Sequence, residues 1–61
     1  MSDMSDTIRR LLTLDASHDI VRTRDGVVHV RLQAGNRVVL TENRDWDAAV
    51  NRALDLWEEE T

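Results

Sequence analysis

Cysteine, lysine, proline, tyrosine and phenylalanine are all missing from this chain of 61 residues, and the absences narrow what it can be. Without cysteine no disulfide can staple the fold, and two histidines alone argue against a structural zinc. Stability must come from apolar packing, alone or with self-association. A domain of this length buries only about 60% of the surface its unfolded chain exposes, so the core is small. No apolar run approaches the roughly 18 residues of a spanning helix. The opening Met1-Ser2-Asp3-Met4-Ser5-Asp6 is acidic where a secretory signal would be basic, so a soluble, cytoplasmic protein is expected. The lack of lysine beside frequent Arg, Asp, Ala and Val is the mark of a GC-rich genome and says little about mechanism.

What is present is charge. Apolar residues at 41% beside 33% charged ones place the chain with globular domains and away from disordered ones. The net charge of −4 is unevenly spread. Residues 45–61 hold six acids and one arginine, whereas residues 1–44 hold six acids and seven arginines. The whole deficit therefore lies in the last segment.

Ser2 or Ser5 can cap a first helix over residues 3–14, with Asp3 and Asp6 near its positive end and Met4, Ile8, Leu11 and Leu12 as its apolar stripe. Asp25-Gly26 between the β-rich runs 19–24 and 27–33 signals a hairpin with a two-residue turn. In that register Val21 and Thr23 share the apolar face with Val28 and Val30, and Arg22, Arg24, His29 and Arg31 share the other. A three-residue turn at Ala34-Gly35-Asn36 then adds Val38 and Leu40 to the apolar face and keeps Arg37 wet on the basic one. Trp46, Ala49, Val50, Ala53, Leu54 and Trp57 recur at the spacing of one helix face. The expected fold is α+β: one two-layer α-β-β-β-α domain over residues 1–61, a three-stranded antiparallel meander with two helices on one face. Both tryptophans belong to the layer between sheet and helices.

No catalytic residue stands out. Ser17-His18-Asp19 contains triad residue types, but a triad needs them to converge from separate elements beside an oxyanion hole. His18 and His29 lack metal-ligand spacing, and pairs such as Asp45 with Asp47 or Asp55 with Glu59 lie on an open helix face without a cleft. Neither metal nor cofactor is expected, and the chain is not read as an enzyme.

Binding remains, and two surfaces offer it. Asp47, Asp55, Glu58 and Glu59 line the last helix opposite its tryptophans, with Asp45 at the border. Glu58-Glu59-Glu60 sit at the negative end of the helix dipole, a placement that works against the helix and so suggests a task for the charge. The strip, with Asp3 and Asp6, would present carboxylates to a basic nucleic-acid-binding protein. The second surface is the arginine-rich sheet face. The acidic balance and the lack of an aromatic there weigh against direct nucleic-acid binding, but a homodimer stays open.

The α-β-β-β-α order resembles the double-stranded RNA-binding domain. That family holds phosphates with lysines where this chain reads Asn43-Arg44-Asp45-Trp46-Asp47, so the topology carries over and the activity does not. The strand-turn-strand leading into Trp46-Asp47-Ala48-Ala49-Val50-Asn51-Arg52-Ala53-Leu54 is similar to HicB-type antitoxins. In size, acidity, lack of a catalytic motif and separation of charge, the whole chain resembles the small anti-CRISPR proteins of phages and mobile elements. Several of these mimic double-stranded DNA and occupy the basic DNA groove of a type I surveillance complex. That class shares no motif, so the resemblance implies a partner, a Cas effector subunit in the cytoplasm of a bacterial host cell, and assigns no residue. The alternative is an antitoxin-like or phage accessory module acting through the arginine face or a dimer surface.

Overall fold

A computed structural model describes residues 4–59, in the order α1 (Met4–Leu12), β1 (Ser17–Arg22), β2 (Val28–Ala34), β3 (Arg37–Asn43) and α2 (Trp46–Glu59). The strands pair antiparallel in the order β1-β2-β3, so the α+β meander expected from the sequence is present. Helix α2 packs across β2 and β3, and α1 packs against α2 with its Leu11 in the same core.

Helix α2 follows its periodicity. Ala49, Val50, Ala53, Leu54 and Trp57 are buried, and Trp46 packs at the rim of the core. Asn43 Oδ1 accepts the Asp45 amide at 2.9 Å, and the Asp45 carbonyl accepts the first helical bond from Ala49 at 3.0 Å. Asp45 is therefore the N-cap, with Asn43 shaping the turn before it. From below, Thr41 Oγ1 donates to the Ala49 carbonyl at 2.7 Å and ties the helix to β3.

The turns depart from expectation, and each departure flips a strand. Between β1 and β2 the register pairs Arg22 with Val28. Thr23 and Val27 close a three-residue turn of Arg24-Asp25-Gly26, with the Thr23 amide on the Val27 carbonyl at 2.9 Å and Gly26 at φ +88°. Glycine at that left-handed position is what this turn type requires. The extra residue turns Ile20 toward the helices, opposite Val30, and leaves Val21 on the open face beside His29. The expectation that Val21 and Thr23 line the core is thus corrected.

Between β2 and β3 the reverse happens. Ala34 pairs with Arg37 across a two-residue turn of Gly35-Asn36, with Gly35 at φ +60°. Val39 is buried and Val38 and Leu40 are exposed, the opposite of the three-residue reading. Arg37 accordingly points to the helix side, where it is half-buried and stacked on Trp57, and not on the open face. Only β2 keeps the expected faces, with Val28, Val30 and Leu32 buried.

Helix α1 is also rotated from its predicted stripe. Leu11 and Thr7 are buried, while Ile8 and Leu12 are exposed. The physical reason lies in what Thr7 meets on α2.

Candidate functional site

Thr7, Arg10 and Leu11 stand at i, i+3 and i+4, on one side of α1, and that side faces α2. Leu11 anchors the contact in the core, so Thr7 and Arg10 are brought against the polar flank of α2. Thr7, only 1% exposed, donates its hydroxyl to Asp47 Oδ1 at 2.6 Å and accepts from Asn51 Nδ2 at 2.9 Å. Asn51 Nδ2 also donates to the Asp47 carbonyl at 2.9 Å. Arg10 then continues the chain, with Nη1 donating to Asn51 Oδ1 at 2.9 Å and Nη2 to Asp55 Oδ1 at 3.1 Å and Glu58 Oε1 at 3.2 Å. Among the described residues no buried side-chain polar atom lacks a partner.

This seam changes what the acidic strip is. Asp47 is half-buried and committed to Thr7, and Asp55 and Glu58 close on Arg10. Burial alone would lower the Arg10 pKa, but the hydrogen bonds to Asp55 and Glu58, with their charges, outweigh it and raise the value. Asp55, Glu58 and Glu59 still face solvent, and with Arg52 they line a shallow concavity of about 380 Å³. Asp45 lies at the other end of α2 as its N-cap. Asp6 is exposed in the first turn of α1. Asp3 lies outside the described residues.

The acids at the end of α2 are less costly than their sequence position implies. The last turn contains no cation of its own, yet Arg10 reaches Glu58 from α1 and Arg37 reaches the Trp57 carbonyl from β3. Thr7, Arg10 and Asn51 were missed as members of the site. A threonine and an arginine flanking Leu11 at helical spacing, and an asparagine amid acids, were their only trace in the sequence.

The predicted arginine face does not assemble. Arg31 occupies the open face, 2.6 Å from Asp19, and His29 lies there 3.5 Å from Glu42. Arg22 is registered with Val28 on the helix side, Arg24 belongs to the turn, and Arg37 stacks on Trp57. Ser17, His18 and Asp19 follow one another along β1, where successive side chains point to opposite faces, so they cannot converge on a substrate. Among the described residues no three His, Cys, Asp or Glu side chains are grouped to hold a metal ion. Among them, too, no helix is long and apolar enough to cross a membrane.

Comparison of the chain with protein-family models, with curated proteins and with solved structures finds no match in any of the three.

Proposed function

We propose that this chain is a non-catalytic inhibitor that docks the outer face of α2 on the basic nucleic-acid-binding surface of an effector protein and so keeps DNA from it. The anti-CRISPR resemblance makes a Cas effector subunit of a type I surveillance complex the target to try. The observation that carries the reading is the state of Asp55 and Glu58. Both bond to Arg10, yet 57% and 70% of their side chains remain exposed. Carboxylates already held in place lose less conformational freedom when a basic partner arrives.

Glu59 extends the same surface, and Asp45 adds a charge about 15 Å along the helix from Asp55. Between Asp55 and Glu58 or Glu59 the axis rises about 4.5 to 6 Å, of the same order as the roughly 3.4 Å between charges along one DNA strand. Individually exposed pairs contribute little, so the expected behaviour is fast association that weakens with salt. The arginine-face form of the antitoxin-like alternative loses its support, because Arg22, Arg24, Arg31 and Arg37 do not share a surface.

The test is a gel-shift assay of target-DNA binding by a purified type I surveillance complex, with and without the protein. The wild type is expected to block the shift, and a folded Asp55→Asn, Glu58→Gln, Glu59→Gln triple variant to lose the block. Equal inhibition by that variant, or no inhibition by the wild type, overturns the proposal.

A further inference from the structure

We propose that two copies of the chain associate through β3, pairing antiparallel about a two-fold axis at Val39 to make one six-stranded sheet. Among the described residues β1 and β3 are the edges of the sheet, and they differ in chemistry. In β1 the charges of Asp19 and Arg22 stand with only Ile20 and Val21 between them, a spacing of charge that discourages strand pairing. β3 is uncharged from Val38 to Thr41, and Val38 and Leu40 are 47% and 68% exposed. An edge of that length and composition, with its outer N–H and C=O groups facing solvent, is a template for another strand.

A second copy is favoured as the occupant because β3 is complementary to itself. Pairing centred on Val39 sets Val38 opposite Leu40 of the second copy, and Leu40 opposite its Val38. Arg37 then faces Thr41 and Glu42 faces Asn36, so no like charges meet. Shifting the centre to Leu40 would set each Val38 against a glutamate. Face-to-face stacking of two sheets is disfavoured for another reason: it would strip water from the Asp19–Arg31 and His29–Glu42 pairs on the open face.

Helix α2 agrees with the same axis. Thr41 bonds the Ala49 carbonyl and Arg37 the Trp57 carbonyl, so α2 runs antiparallel to β3 with Ala53 level with Val39. The two α2 helices then flank the axis in opposite directions. Arg52, the one cation of α2, comes level with Leu54 of the second copy, so the two arginines do not meet at the same height.

The oligomeric state is read by light scattering after size exclusion, from low micromolar to near-millimolar protein. The wild type is expected to reach a dimer, Leu40→Lys to remain a monomer with an unchanged circular dichroism spectrum, and Val21→Lys, on the far strand, to dimerise normally. The register has its own readout, since the chain contains no native cysteine. Mixed Val38→Cys and Leu40→Cys variants should oxidise chiefly to the mixed disulfide. A wild type that stays monomeric throughout, a dimeric Leu40→Lys variant, or Leu40→Cys linking mainly to itself overturns the proposal.

Discussion

Arg37 lies over Trp57, its guanidinium carbon 4.0 Å from the ring centroid, and donates a hydrogen bond to the carbonyl of the same residue. One side chain from the first position of β3 thus covers the indole and satisfies the end of α2, where no helical cation is available. Arg37→Ala removes the stacked cation and the cap together, at an expected cost of about 1–3 kcal/mol. Arg37→Lys retains charge but not the planar fork, and should lose about half as much. Urea unfolding followed by tryptophan fluorescence measures both. Equal stability of wild type and Arg37→Ala would remove Arg37 from the account of how α2 is held.

The seam between the helices makes a sharper prediction at Thr7. Its hydroxyl serves Asp47 and Asn51 at once in a site closed to water. Thr7→Val keeps the shape and leaves both groups short of a partner, so a loss of about 1–3 kcal/mol is expected. Thr7→Ser keeps the hydroxyl and should stay within about 1 kcal/mol of wild type. Amide exchange in α1 reads the consequence locally, because the exposed Arg10 pairs alone contribute little. The hydroxyl is dispensable if Thr7→Val protects α1 as well as wild type does.

Asp25 ties stability to pH. The Thr23 hydroxyl and the Asp25 amide hydrogen-bond its carboxylate, with a smaller contribution from the charge of His29, and hold its pKa below the ordinary value. A carboxyl whose folded pKa is depressed stabilises the protein above the unfolded pKa, near 3.9, and loses that contribution as pH falls from there through the folded value. Asp25→Asn should therefore narrow the gap between the urea midpoints at neutral and acidic pH. Parallel pH profiles for variant and wild type would show that Asp25 does not report on folding.

The element order, the inward face of α2 and the buried face of β2 were legible in the sequence, because each depends on periodicity within one segment. Trp46 to Trp57 could face the sheet with one side only, and Val28, Val30 and Leu32 could be buried from one face only. The acids of α2 were legible as a strip as well. Their commitments were not: Asp47 is joined to Thr7 and Asp55 to Arg10 across about forty residues of chain, and no local pattern announces a contact of that separation.

Sequence alone therefore determined which segments are helices and strands, the lack of any covalent staple, and the gathering of negative charge at one end of the chain. Tertiary structure decided which face of β1 and of β3 is buried, which side of α1 meets α2, and how free each carboxylate is. The reason is physical. A strand repeats every two residues, so one residue more or fewer in a turn reverses it, and Val21, Val38 and Leu40 went to the open face on that margin. Packing the three strands and two helices together chose the turn lengths, and with them placed Arg37 on Trp57 and left the edge of β3 bare.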